Sequence, residues 1–409
     1  MRRVVITGMG AVTPIGNDIK TFWDGLINGK NGIDKVTKFD ATGFKATLAA
    51  EVKDFDPLVA MEKGEARKTD LYTQYALVAA AEAVTDSGIE GTIESDRIGV
   101  YVGSGIGGMG TFCEEHSNLL EKGERRVSPL FIPKMITNIA AGNIAIKYGF
   151  NGPCFSLSTA CATGTHSIGE AYRAIKHGHA DAMVTGGSEA TINPLAFAGF
   201  INCMALSTSE DKDAASIPFD ARRGGFIMGE GAGILVLEEY ERAVARGAKI
   251  YGEIVGYGST CDAHHITAPD PEAKWVAKAI LNAMEEADLV GETNVYVNTH
   301  GTSTPLNDKT ETAALHKAFG EGAKDIHMSS TKFMTGHMLG AAGAVEAIAA
   351  VLALKEGIIP PTIGYSEADI ECDINCTPNK AVKADIVASY STSLGFGGHN
   401  ACLAFKAVK

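Results

Sequence analysis

Short apolar runs alternate with longer Ala-rich stretches along the chain. Runs of four to eight apolar residues bounded by Gly or polar clusters predict buried strands at Val4–Thr7, Ile98–Val102, Ala182–Thr185, Ile234–Leu237, Ile250–Val255, Val295–Asn298 and Ala401–Phe405. Between them, stretches of helical period predict helices at Tyr72–Asp86, Ser167–His177, Trp275–Ala287 and Gly343–Lys355. Strands alternating with helices of this length make an α/β fold.

The pattern also repeats. LSTACATGTHSIGEA (157–171) resembles SSTKFMTGHMLGAAGA (329–344): each leads from a short strand through Ser-Thr and Thr-Gly into a Gly- and Ala-rich helix. In this alignment Ser158-Thr159 parallels Ser330-Thr331, and Lys332 stands near the place of Cys161. Duplication predicts two similar halves packed together, with a boundary near residue 250: residues 1–250 carry the cysteine, and 251–409 carry two histidines of interest.

Length supports more than one packed unit, since 409 residues exceed what a single simple core holds. The net charge of −13 leaves nothing to neutralise a phosphate backbone and excludes a general nucleic-acid binder. Two short basic stretches, Lys63/Arg67/Lys68 and Lys122/Arg125/Arg126, are the exceptions; taken alone they read as solvated charge. The N-terminal MRRVVITGMGAVTPIG reads as a first strand and turn, not a signal peptide, and no apolar run approaches bilayer length. Eight scattered cysteines without a C-x-x-C pair fit neither a zinc site nor a disulfide scaffold, and predict a reducing, cytoplasmic setting.

Cys161 lies where the strand-like Phe155–Ser158 gives way to a helix, among the small residues Ala160, Ala162 and Gly164. A thiol at a helix N-terminus meets free N–H groups and the positive end of the dipole, which favour a thiolate. From local sequence, a nucleophile and a buried structural cysteine are equally good readings. His300 (VNTHGTSTP) and His337 (TGHMLGAAG) sit at element ends beside Gly and Thr, a better place for chemistry than the middle of a helix. Glu346 interrupts an apolar helix and needs a buried partner, for which Lys332 is the candidate. The Gly-rich run Val102–Gly110 contains G-x-G-x-x-G after a strand and raises a nicotinamide oxidoreductase as an alternative. It lacks the following acidic strand end and does not lie in a first βαβ unit, so it is rejected. The glycines of Leu394–Gly398, before the last strand, offer backbone N–H groups to a ligand oxygen.

Together the blocks ITGMGAVTPIG, STACATG, PFDARRGGFIMGEGAG, NTHGTSTPLND, SSTKFMTGHMLGAAGAVE and GFGGHN resemble, in order and over nearly the whole chain, the β-ketoacyl-[acyl-carrier-protein] synthases of the thiolase-like superfamily. The resemblance implies a duplicated five-layered α-β-α-β-α architecture with two mixed sheets. It implies elongation of acyl chains by decarboxylating Claisen condensation. Cys161 would accept the acyl group, and His300 and His337 would promote loss of CO₂ and stabilise the enolate. The N–H groups of Cys161 and Phe396 would form the oxyanion hole, with Phe396 also a gate. Lys332 and Glu346 would organise the site, Thr302 and Thr304 would contact the phosphopantetheine arm, and Ile106 would line the acyl pocket.

By the same resemblance the partner is an acidic acyl carrier protein, docked on Lys63, Arg67 and Lys68 with Arg125 and Arg126, since Met204 stands where some relatives have an arginine. A homodimer is implied, and no redox cofactor or catalytic metal. A structural monovalent cation near Asn298 and Glu346 stays open, because Thr392 replaces an asparagine that binds it in some relatives. Histidines at both matching positions separate the chain from Cys-His-Asn initiating enzymes. The loop GFGGHN, without the second cysteine of thiolases, separates it from those. Cys161 speaks against a silent chain-length partner, and a polyketide-type ketosynthase remains an alternative.

Overall fold

The computed structural model describes residues 1–408. Ten strands build its main sheet: β1 (Val4–Val12), β2 (Ile98–Gly103), β3 (Cys154–Phe155), β4 (Ala182–Glu189), β5 (Gly231–Glu239), β6 (Gly252–Cys261), β7 (Val295–Asn298), β8 (His327–Ser329), β9 (Ala388–Gly395) and β10 (His399–Lys406). Their spatial order is β8-β7-β9-β10-β6-β1-β5-β4-β2-β3. The first five and the last five strands therefore form mirrored halves. In each half two parallel pairings (β3-β2-β4, β8-β7-β9) are followed by two antiparallel ones (β4-β5-β1, β9-β10-β6). The two mixed sheets expected from the resemblance are thus joined into one, through a short antiparallel pairing of Val4–Ile6 with Gly252–Ile254.

Six helices complete the layers: α1 (Leu71–Ser87), α2 (Ile139–Tyr148), α3 (Thr163–Lys176), α4 (Lys274–Glu286), α5 (Pro305–Phe319) and α6 (Ala342–Glu356). Helices α1 and α2 cover the outer face of the first half, and α4 and α5 that of the second. Between the halves lie α3 and α6, which touch each other and strands of both halves. Every residue from Ala342 to Leu354 is buried, as a helix apolar all round requires. The largest hydrophobic cluster runs from Val4 through Ile168, Val345 and Ile348 to Phe405. The halves share one core and are not independent domains.

The duplication explains two glycine pairs. In β1, a Cβ on Gly8 or Gly10 would lie 2.1 Å from Ala83 O or 2.0 Å from Ala79 O of α1. In β6, a Cβ on Gly256 or Gly258 would lie 2.1 Å from Ala283 O or 1.8 Å from Ala279 O of α4. In both copies a register shift in pairing to the next strand immediately precedes the pair, at Ile6/Gly8 and opposite Ala404/Phe405. The outer helix rests directly on strand backbone, and only glycine permits that approach.

Beyond Ile6, β1 has no partner on its β6 side. The N–H of Met9 donates to Asp86 (3.2 Å) and that of Ala11 to Glu82 (3.0 Å). Two carboxylates of α1 thus satisfy the strand edge where the two halves splay apart.

Because the contacts are duplicates, Gly10→Val and Gly258→Val should each destabilise the protein by about 3 kcal/mol or abolish folding. Urea denaturation measures both, and a neutral effect at either glycine would contradict the packing described.

Candidate active site

Cys161 sits in a tight turn (Ala160–Ala162) between β3 and α3. The turn begins at Ala160, held at φ +50°, a left-handed conformation that an alanine adopts only under constraint from its surroundings. A side chain on Gly395, at the end of β9, would strike Thr159 O at 2.6 Å. The glycine lets the Gly395–Gly398 loop close over the turn, and the N–H of Phe396 points at the Cys161 sulfur. Neither the Cys161 nor the Phe396 N–H donates to a protein oxygen, so both remain free for a ligand oxygen.

His300 lies two residues past the end of β7. Its N–H and that of Gly301 donate to the two oxygens of Glu311, both at 2.7 Å, and Glu311 also accepts from Thr392 Oγ1 (2.7 Å). Asp308, one turn earlier on α5, accepts from the N–H of Ser303 and of Phe219. Burial pushes the Glu311 carboxyl up to about 7 and raises that of Asp308. His337 is anchored by its N–H to Ile227 O (2.7 Å), with its ring edge-on to Phe226 and to His300 at 5.0 and 5.2 Å between centroids.

The Lys332 ammonium donates to Glu346 Oε1 and to His300 O, and lies 3.5 Å from His300 Nδ1. An ammonium has no lone pair, so Nδ1 must accept and the His300 proton resides on Nε2. Burial first, then the Lys332 charge, holds both imidazoles well below their ordinary value, and they are neutral. A cavity of about 290 Å³ collects Cys161, His300, His337, Thr302, Thr304 and Phe396. The chemistry this permits is a thiol nucleophile, an oxyanion hole of two N–H groups, and a neutral imidazole N–H donor.

Two sequence-based expectations change here. The repeat is real but shifted by seven positions: Ala160 and Leu339 share the left-handed conformation (φ +50° and +47°), each opening a turn that leads into α3 or α6. Cys161 therefore matches Gly340, not Lys332. The second copy has a longer connection between strand and helix, and Lys332 and His337 stand on the added length. The thiolate expectation also fails. Burial pushes the Cys161 thiol up to about 12, outweighing Lys332 and the Phe396 N–H, so the resting nucleophile is a protonated thiol. Ile106, expected to line the acyl pocket, is not among the residues lining this cavity and is 37% exposed in the single chain. Thr392, which stands where some relatives resembled by the chain have a cation-binding asparagine, donates its hydroxyl to Glu311.

The sequence reading passed over Asp308, Glu311 and Glu189. A carboxylate in a polar helix such as PLNDKTET looks like solvated charge, and only its position opposite unpaired loop N–H groups shows otherwise. Glu189 also disposes of the dinucleotide alternative. It accepts from Gly105 N (2.9 Å), Ile106 N (3.3 Å) and Ser104 Oγ (3.0 Å), so the Gly-rich loop's donors already hold an anion of the chain itself. Lys63, Arg67 and Lys68 form an exposed patch on and after a short helix (Lys63–Ala66), away from the cavity. Cys402, which follows the GFGGHN loop in sequence, is buried in β10 and is not among the residues lining the cavity.

Residues 1–243 match the Beta-ketoacyl synthase N-terminal domain and residues 251–366 the Beta-ketoacyl synthase C-terminal domain. The chain belongs to the β-ketoacyl synthase family. This β-ketoacyl synthase is 52% identical over 406 residues to the 3-oxoacyl-[acyl-carrier-protein] synthase 2 of Staphylococcus aureus (strain COL), covering 99% of the chain and 98% of that protein. It is 48% identical over 407 residues to the enzyme of the same name from a Synechocystis strain, with 99% and 98% covered. Among solved structures, it superposes over the full length of both chains on the ishigamide ketosynthase/chain length factor (TM-score 0.93, 36% identity). A β-ketoacyl synthase from Burkholderia phymatum STM815 gives a TM-score of 0.92 at 34% identity, again over both full chains.

Proposed function

We propose that this protein lengthens acyl chains by two carbons: Cys161 takes an acyl group from a carrier-protein thioester, and malonyl-carrier condenses with it as CO₂ leaves. The observation that carries the reading is the convergence of a thiol, two free N–H groups and two neutral imidazoles in one cavity. The full-length similarity to enzymes named 3-oxoacyl-[acyl-carrier-protein] synthase 2 supports it.

In the first half-reaction the thioester oxygen enters the Cys161/Phe396 N–H pair. The Cys161 sulfur forms a bond to the carbonyl carbon, the carrier's C–S bond breaks, and the thiol proton ends on the departing pantetheine thiol. Thr302 and Thr304, on the cavity wall, offer hydroxyls to the amides of that arm. In the second, the malonyl C–C bond to the carboxylate breaks and its electrons form an enolate. The Nε2–H of His300, fixed by Lys332, donates to that oxygen, and His337 does the same. The enolate carbon then attacks the acyl-cysteine carbonyl, the Cys161 thiolate leaves, and a proton restores the thiol. A site in which both imidazoles are neutral donors suits a reaction that makes negative charge from a carboxylate already ionised.

The acyl donor is an acidic carrier protein met by Lys63, Arg67 and Lys68, assisted by Arg125 and Arg126, all exposed. A solved relative is described as a ketosynthase with its acyl-carrier protein, at 34% identity. The protein works as a homodimer in the cytoplasm. In support, the edge strand β3 is exposed, with Phe155 at 47% and the nearby Ile132 and Ile146 at 54% and 80%. No helix of the described residues is long and apolar enough to cross a membrane. The same dimer covers Ile106 and turns it into a wall of the acyl pocket.

A structural monovalent cation fits beside the ion pair. Asn298 Oδ1, Glu346 Oε2 and Ser391 Oγ are buried oxygens without a hydrogen-bond partner, and Asn298 and Ser391 are register neighbours on β7 and β9. The sequence reading had named Asn298 and Glu346 but not Ser391. Replacing K⁺ or Na⁺ by tetramethylammonium, too large for such a site, should lower the thermal midpoint of wild type but not of Glu346→Gln; an unchanged wild-type midpoint would remove the cation.

Incubation with an acyl-carrier thioester, followed by mass mapping, should place the acyl group on Cys161. Cys161→Gln should abolish condensation and keep or raise malonyl decarboxylation. Reversing Lys63, Arg67 and Lys68 should raise KM for carrier substrates while leaving the acylation site unchanged. Acylation elsewhere, or loss of decarboxylation in Cys161→Gln, would overturn the assignment of roles.

A further inference from the structure

The duplication places a second copy of the nucleophile turn in the molecule, with Gly340 where the first copy has Cys161. The matching strand ends correspond too: Glu189 pairs with Gly231 at the end of β4, as Gly395 pairs with His399 at the end of β9. In the first copy the N–H of Cys161 is free and a glycine, Gly395, stands beside it. In the second the N–H of Gly340 donates to Glu189 Oε2 at 3.0 Å. The same oxygen accepts from Gly105 N at 2.9 Å. The other oxygen, Oε1, accepts from Ser104 Oγ and Ile106 N.

Glu189 is fully buried, and all four of its partners are donors. This is the environment of a bound anion, supplied from within the chain. The packing around it is close: a Cβ on Gly340 would lie 2.4 Å from Gly105 N, and one on Gly105 would lie 2.8 Å from the carboxylate. Gly340 directly follows the segment bearing His337, and Ser158, just before the nucleophile, donates to Gly105 O (3.2 Å).

We infer that Glu189 is a positioning residue: its carboxylate fills the duplicate's own oxyanion hole, at Gly340 N, and by holding Gly105 and Ile106 as well it fixes the nucleophile turn and the His337 turn relative to each other. The chain thereby keeps one working hole and uses the other as a clamp. Four donors from two separate segments converge on one side chain, so its loss releases both sides at once. Misplacement of reacting groups by about 1 Å costs up to about a hundredfold in rate.

The inference rests on Cys161 as the acyl acceptor, and the test has one arm that does not. In Glu189→Ala, transfer of an acyl group from a carrier thioester to Cys161 should slow by about tenfold to a hundredfold. Sodium formate should restore most of that rate by placing a free carboxylate on the Gly105 and Gly340 N–H groups, while equimolar sodium chloride should not. Formate should also raise the thermal midpoint of Glu189→Ala and leave that of wild type unchanged, whatever the reaction is. A wild-type rate in Glu189→Ala, or a loss that formate restores in neither readout, overturns the clamp. Should the alanine variant not fold, Glu189→Gln decides. Its amide turns donors toward donors, so the acylation rate should fall and ignore formate, and a wild-type rate overturns the proposal. Failure of the condensing reading shows separately, as wild type that takes no acyl group on Cys161.

Discussion

A lysine buried to 1% exposure beside a carboxylate buried to 3% is the constraint on which the site depends. Taking both charges out of water is costly, and removing either partner leaves an uncompensated charge worth about 3–5 kcal/mol. An apolar pair would fill the same space more simply. The ion pair does what an apolar pair cannot: Lys332 also meets His300 at its carbonyl and at Nδ1. The burial that makes the pair expensive keeps His300 neutral, and the ammonium decides which nitrogen carries its proton. Stability is spent on one tautomer of one ring.

The duplicated fold allows this concentration of function. Both halves deliver a strand–turn–helix unit to the same buried layer, where α3 and α6 pack against each other. Gly164 and Gly343 make that packing possible: a Cβ on the first would lie 2.7 Å from Ala344 N, and on the second 2.0 Å from Thr165 Oγ1. The first copy keeps a short turn and presents to the cavity a buried thiol with free N–H groups beside it. The second lengthens its turn and uses the added residues for Lys332 and His337. Since the halves share one core, neither part of the site has a position without the other.

Much of this was legible in sequence, for physical reasons. Segments such as Val4–Thr7, the start of β1, and Val295–Asn298 announce themselves because both faces are buried and their residues are mostly apolar. Strand β9, ASYSTSLG, does not, although nearly all of it is buried. Three of its hydroxyls are satisfied internally, Ser389 on Ala350 O, Thr392 on Glu311 and Ser393 on Thr165, and a hydropathy pattern cannot see such pairing. Helix α5 hides for the same reason behind Asp308, Glu311 and Thr312. Site residues at element ends, Cys161, His300 and His337, were visible because Gly and Thr surround them. The state of the thiol was not, because a helix N-terminus can be read from sequence and the depth of burial cannot.

Lys332 fixes His300 as a neutral Nε2–H donor, and on this the rest of the site depends. The direct measurement is the ¹⁵N shift of both ring nitrogens in histidine-labelled protein, assigned by the signal lost in His300→Ala. The shifts should show a protonated Nε2 and a bare, hydrogen-bonded Nδ1, unchanged from pH ~8 down to pH ~5, across the range where an ordinary histidine gains its charge. A proton on Nδ1, or titration near the ordinary value of 6.5, would contradict it.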